Sequence, residues 1–190
     1  MTPLPDLMTE YHRRCLAGSD IREYLPVLHG YARVYPGARV LEVGVRSGNS
    51  TVAFLAAAQA IGGHVWSVDI EDMRGRAGGI GPWRDHPAWT FTCGDSVSPS
   101  VVAQQPAAID VLFLDGDHGK QRVLDELAAY FPRLTPGGVA LLHDTRLWWP
   151  GEPEGTWPVS RALDEYCEAK GLHWAELPGS YGLGVMVREW

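Results

Sequence analysis

The segment Asp110-Val-Leu-Phe-Leu-Asp115-Gly-Asp117-His118, followed one helix length later by Leu141-Leu-His143-Asp144-Thr145, constrains this chain more than any other. Each is an apolar run that ends abruptly in acid and imidazole groups. A strand apolar on both faces belongs inside a parallel sheet. The carboxyl ends of such strands are where an α/β sheet presents its chemistry. Two such ends can bring Asp115, His118 and Asp144 to one small site, able to hold a metal ion, a base, or both.

The rest of the chain alternates strand and helix signals. Residues 6–17 and 20–34 read as two helices, with Ile21, Tyr24, Leu25, Leu28 and Tyr31/Ala32 on one face. Strands are predicted at 39–43, 64–69, 89–93, 109–115, 139–143, 172–177 and 183–188. Helices are predicted at 50–61, 119–133 and 159–170, with a short one capped by Ser98. The 119–133 helix turns Val123, Leu124, Leu127 and Phe131 inward. Residues 71–87 read as an exposed loop, and 145–158 as a second long loop carrying Trp148, Trp149 and Trp157. This alternation implies a parallel α/β sheet, and the last two strands read as a hairpin adding an antiparallel edge. No linker or repeat divides the 190 residues, so one domain is expected, with helices over 1–36 and the core over 37–190.

The net charge of -7 argues against nucleic-acid or anionic-membrane partners. No apolar run reaches transmembrane length, and the first residues lack the pattern of a signal peptide. Cys15, Cys93 and Cys167 are odd in number and widely spaced. They read as reduced, mostly buried thiols of a cytoplasmic protein.

Glu42-Val-Gly44-Val-Arg-Ser-Gly48-Asn-Ser50 joins the first core strand to a helix. Gly44 and Gly48 permit close approach of the backbone to a ligand, and the helix beyond offers free N–H groups. The Gly-x-x-x-Gly spacing differs from the dinucleotide fingerprint, and Glu42 suits a cationic ligand better than a pyrophosphate. The same residues also make an ordinary tight turn. Asp69, at the end of the second strand, can take the hydroxyls of a ribose or cap a turn. Asp95-Ser96, at the end of the third, can border a purine or form turn chemistry.

Taken in order, Glu42, Gly44, Gly48, Asp69 and Asp95 resemble the class I S-adenosylmethionine-dependent methyltransferases, from about residue 38 onward. The resemblance implies a Rossmann-like, doubly wound, seven-stranded sheet of order 3-2-1-4-5-7-6 with the last strand antiparallel. It implies S-adenosyl-L-methionine as cofactor, held by Glu42, Gly44, Gly48, Ser50, Asp69, Asp95, Ser96 and Asp115. The stretch from Ile109 to Thr145 is similar to the macrocin-type and cephalosporin-cluster small-molecule O-methyltransferases, and more distantly to catechol O-methyltransferases. In those families, acids ending strands four and five bind magnesium. The matching residues are Asp115 and Asp144, with His143 a further ligand and Thr145 a neighbouring hydroxyl. His118 stands where the macrocin-type relatives place a catalytic His. An imidazole ligand leans toward Mn, Fe or Zn rather than Mg.

The expected reaction is methylation of a small-molecule hydroxyl, of natural-product, sugar or catechol type, as in secondary metabolism. Asp115 would assist through a divalent cation, and His118 would accept the proton. Aromatic residues of the 145–158 loop suit a planar or sugar-ring acceptor, or simply dock the loop. The rival readings are a metal-independent methyltransferase using His118 alone, an NAD-dependent oxidoreductase, and a non-catalytic cofactor-binding subunit. The apolar N-terminal helices offer a surface for a homo-oligomer.

Overall fold

A computed structural model of the chain describes residues 6–75 and 79–189. Its strands are β1 (Arg39–Val43), β2 (His64–Asp69), β3 (Trp89–Cys93), β4 (Ile109–Leu114), β5 (Leu134–His143), β6 (Trp174–Leu177) and β7 (Leu183–Val187). They form one sheet in the expected order, β3-β2-β1-β4-β5-β7-β6. The first five are parallel, and β7 runs antiparallel to both β5 and β6.

The helices are α1 (Leu7–Leu16), α2 (Leu25–Val34), α3 (Asn49–Ile61), α4 (Pro99–Val102), α5 (Lys120–Tyr130) and α6 (Pro158–Lys170). The strand pleat divides the core between the two faces. Val40, Val65, Val111, Phe113 and Leu141 meet α1, α2 and α3 on one side. Leu41, Leu112, Leu114 and Leu142 meet α5 and α6 on the other. All six positions of β4 are buried, which is why its sequence shows no polar alternation. In α3 every residue from Ser50 to Ala58 is buried, and its alanines let the helix lie close to the sheet.

Several expectations are corrected. The second helix begins at Leu25, and residues 20–24 form turns. Pro26 has no N–H to donate, so it stands in a first helical turn and not in an interior. β5 starts at Leu134, ahead of the expected 139, with a register shift between Ile109 and Val111 that accommodates Pro136-Gly137-Gly138. The 71–87 loop is not simply exposed. Short 3₁₀ turns at Met73–Gly75 and Gly81–Trp83 help bury Met73, Ile80 and Trp83. Of the cysteines only Cys167 is buried, and Cys93 is exposed. The apolar face of α1 and α2, through Leu7, Tyr11, Leu25, Leu28 and Ala32, packs into the core, while Leu16 and Val34 of the same helices stay exposed. Among the described residues no helix is long and apolar enough to cross a membrane. Residues 1–5, and Arg76 of the 71–87 loop, lie outside the described residues.

At the far end of the sheet from the candidate site, Asp110 ties three elements together. Its carboxylate accepts from the Arg39 backbone N–H (2.9 Å), from both arms of the Arg39 guanidinium, and from Thr135 Oγ1 (2.8 Å). Burial pushes the Asp110 pKa up, but these donors outweigh it and hold the pKa below the usual carboxylate value. A carboxyl depressed on folding stabilises above its unfolded value, about 3.9, and loses that contribution as pH falls through its folded value. Asp110→Asn is therefore expected to cost about 1–2 kcal/mol at neutral pH, discounted because the Arg39 side chain is 41% exposed. Thermal melts at stepped pH should show the gap to wild type constant at neutrality and closing below about pH 4.

Candidate functional site

A cavity of about 640 Å³ opens at the carboxyl ends of β1, β2, β3 and β4. The turn after β1 forms one wall. Gly44, at φ +91°, lets its backbone lie against the Asp115–Gly116 peptide, where a Cβ would meet the Asp115 carbonyl and come within 2.8 Å of the Gly116 nitrogen. Its N–H donates to the Val68 carbonyl (2.8 Å), so the turn is fixed against β2 as well.

Asp69 lines the cavity as expected. Its carboxylate also accepts from the backbone N–H groups of Val45 (2.8 Å), Arg46 (3.1 Å) and Glu71 (3.0 Å). It thus shapes the turn while facing the cavity. Asp95 and Ser96 also line the cavity, next to Gly94, whose N–H donates to the Asp69 carbonyl (2.8 Å). Asp95 pairs with Arg122 (2.6 Å), and Ser96 Oγ donates to Glu126 (2.6 Å).

Glu42, Gly48 and Ser50 do not reach the cavity. Glu42 is fully buried beneath the turn and accepts from Ser50 Oγ (2.5 Å), Thr51 Oγ1 (2.8 Å) and Ser67 Oγ (2.6 Å). Burial raises its pKa to about 7, against the pull of the three hydroxyls. It braces β1 against α3 and β2 and is not placed to touch a ligand. Gly48 packs against Ile80 at the start of α3.

Asp115 connects the cavity to a second cluster. Ligand atoms of Asp115, His118 and Asp144 all lie within 4.8 Å of one another. His118 Nε2 stands 2.9 Å from Asp144 Oδ2 and 3.5 Å from Asp115 Oδ1. Neither approach is angled as a hydrogen bond, and both ring nitrogens are buried without a hydrogen-bond partner. Burial disfavours the imidazolium, yet the two carboxylates outweigh it and raise His118 to about 9. His143 sits behind, with Nδ1 3.1 Å from Asp115 Oδ1 and 3.2 Å from Asp144 Oδ1, and the same balance raises it to about 10. Against the penalty of burial, these imidazoles hold both carboxyls below their ordinary value.

His118 thus joins Asp115 and Asp144 in the cluster, and His143 stands against the same two carboxylates through Nδ1. Thr145 turns away, its hydroxyl donating to Glu176 (2.7 Å). Asp144 itself adopts φ +64°, a left-handed conformation few non-glycine residues take without a local reason. Two carboxylates and an imidazole with no hydrogen-bond partner, converging in a mostly buried pocket, fit a divalent cation.

Trp149 of the 145–158 loop lines the cavity and packs edge-on against His118, with ring centroids 4.6 Å apart. Trp148 and Trp157 are largely exposed. Glu152 of the same loop accepts from the Lys120 N–H (2.7 Å) at the start of α5, so the loop is tied down beside His118.

Arg122 and Glu126 are among the lining residues that sequence reasoning missed. Glu126 is 2% exposed, and burial raises its pKa to about 7 despite the Ser96 hydroxyl. The available signal was a charged residue set within the Val123, Leu127 and Tyr130 stripe of α5.

Comparison with known proteins agrees with this architecture. The profile of a family described as "Methyltransferase domain" matches residues 41–145. No curated protein matches the chain by sequence. A Corynebacterium glutamicum protein superposes with a TM-score of 0.72 at 17% identity, covering 100% of this chain and 93% of its own. TomG, an O-methyltransferase from Streptomyces achromogenes solved with SAM, gives a TM-score of 0.68 at 17% identity, covering 97% and 90%. The MycE methyltransferase of the mycinamycin pathway, solved with Mg, SAH and mycinamycin VI, gives 0.68 at 22% identity. That match covers 97% of this chain but only 54% of MycE.

Proposed function

The chain belongs to the methyltransferase-domain family, and on that premise we propose that it transfers the methyl group of S-adenosylmethionine to a hydroxyl of a small molecule with the help of a divalent cation. The observation that carries this reading is the adjacency of two sites. The cavity framed by Gly44, Asp69 and Asp95 shares Asp115 with the Asp115, His118 and Asp144 cluster. A methyl donor in the cavity and an activated oxygen at the cluster would thus be neighbours, and holding reactants together is a large part of what such an enzyme must do. O-methylation by neighbours such as TomG supports the choice of oxygen as acceptor.

S-adenosylmethionine would supply an electrophilic methyl on a sulfonium. Gly44 offers backbone contact, Asp69 offers a carboxylate to the ribose, and Asp95 with Ser96 borders the base. Ser50 and Glu42 would act from behind the turn. A divalent cation held by the carboxylates of Asp115 and Asp144 would act as a Lewis acid that lowers the pKa of the acceptor hydroxyl, leaving His118 Nε2 to take the proton. His118 Nε2 stands 2.9 Å from Asp144 Oδ2, and the acceptor proton can pass to it only when Nε2 is free of its own proton. The carboxylates beside it favour the charged imidazolium, so neutralising them is a condition for His118 to serve as a base. Trp149, against the His118 ring, would exclude water and bound the acceptor.

Calorimetric titration with S-adenosylmethionine, in magnesium and in EDTA, tests the cofactor. Micromolar binding is expected in both. No binding in either condition would overturn the reading and favour an NAD(H) titration next. With binding established, transfer to a panel of catechols, sugars and hydroxylated natural products should require added cation and stop in EDTA.

A further inference from the structure

α1 stands outside the strand–turn–helix unit that frames the cavity, yet it sends one side chain into it. Arg14 is 3% exposed. Its Nε donates to Glu10 on the preceding turn of α1 (2.8 Å), which compensates its charge locally. The two remaining arms are used on other segments. Nη1 donates to the Ser47 carbonyl (2.8 Å) and to Asn49 Oδ1 (3.0 Å), and Nη2 to the Gly79 carbonyl (3.2 Å).

Those acceptors belong to two separate segments that adjoin the cavity lining in sequence. Ser47 continues the Gly44–Arg46 wall, and Asn49 begins α3. Gly79 precedes Ile80, which packs on Gly48, in the loop whose earlier residues Ile70, Glu71 and Met73 line the cavity. We infer that Arg14 is a positioning residue for the cofactor, a buried guanidinium that fixes the spacing between the glycine turn and the Gly79–Ile80 segment. This rests on the cofactor reading above.

The chemistry favours arginine here. A guanidinium offers five donors in a fixed planar fork, so one group can serve a carboxylate, two backbone carbonyls and an amide oxygen at once. A lysine ammonium keeps the charge beside Glu10 but cannot span acceptors on both segments. Buried carbonyls left without a donor reorganise to find one, and here the segments that would move adjoin the cavity lining.

The test uses the full chain, with S-adenosylhomocysteine as probe, for wild type, Arg14→Lys and Arg14→Met. Affinity is measured by calorimetry well below each melting temperature, and the melt is recorded without ligand. The Met variant is expected to bind about tenfold or more weakly, with Lys recovering part of the loss. A purely structural arginine would lower the melting temperature and leave the affinity of the folded protein unchanged. Affinities within about twofold of wild type in both variants would therefore overturn the inference. If neither variant folds, Asn49→Ala decides, since it removes one acceptor and leaves the guanidinium in place. Weakening of about threefold or more supports the inference, and no change overturns it. Failure of the wild type to bind would overturn the cofactor reading itself, an outcome distinct from both.

Discussion

Asp144→Asn is expected to lower turnover about a thousandfold, roughly 4 kcal/mol of transition-state stabilisation, and to remove the response to added divalent cation. The substitution keeps the shape of the side chain. Asparagine also tolerates the left-handed conformation that Asp144 adopts at φ +64°, so folding should survive. What is lost is one of two carboxylates facing His118. An amide oxygen is a weaker ligand for a hard cation than a carboxylate. Asp115→Asn should behave similarly but also weaken cofactor binding, because Asp115 lines the cavity while Asp144 does not. Steady-state kinetics with metal titration, beside calorimetry with S-adenosylhomocysteine, separates the two. Unimpaired turnover by Asp144→Asn, or by wild type in EDTA, would remove the cation from the mechanism and leave His118 as a lone base.

How far the sequence foretold this site depends on the kind of information each residue carries. β4 and β5 were legible because a parallel strand buried on both faces reads as an unbroken apolar run, and the acid at its end marks where burial stops. The glycine turn, Asp69 and Asp95 were legible because strand ends on one edge of a parallel sheet must converge. Side-chain direction was not. Glu42 lies two residues before Gly44, on a pleat position opposite Ser67, so it points into the sheet–helix interface and away from any ligand. The relative placement of His118 and His143 was hidden for a similar reason. His143 is the last residue of β5 and its direction is set by the pleat, while His118 follows a short irregular segment that swings it over Asp144. Arg14 was invisible. Apart from Glu10, its partners are 33 to 65 residues away, and nothing in an amphipathic helix announces which arginine will be buried.

Gly44→Ala is expected to destabilise the fold by about 3 kcal/mol or more, a loss of roughly 6–12 °C in melting temperature for a chain of this size. Two costs add. The backbone at φ +91° disfavours any L side chain, and the new Cβ would press on the Asp115–Gly116 peptide. Neither side can yield cheaply. Gly44 N–H is bonded to the Val68 carbonyl, and Asp115 N–H to the Val43 carbonyl, each at 2.8 Å. Gly30→Ala is the matched control. It lies in α2, exposed, with nothing within 4 Å of an added Cβ, and should stabilise by about 0.5–1 kcal/mol through helix propensity alone. Melts of both variants beside wild type check the stability claim, and Gly44→Ala melting with wild type would refute it. Turnover then distinguishes two accounts of Asp115. If the folded Gly44→Ala protein also loses activity, the close approach of the turn positions the carboxylate that joins the cavity to the cluster. If activity per folded molecule is unchanged, the β1–β4 hydrogen bonds hold Asp115 unaided, and Gly44 serves the cofactor wall alone.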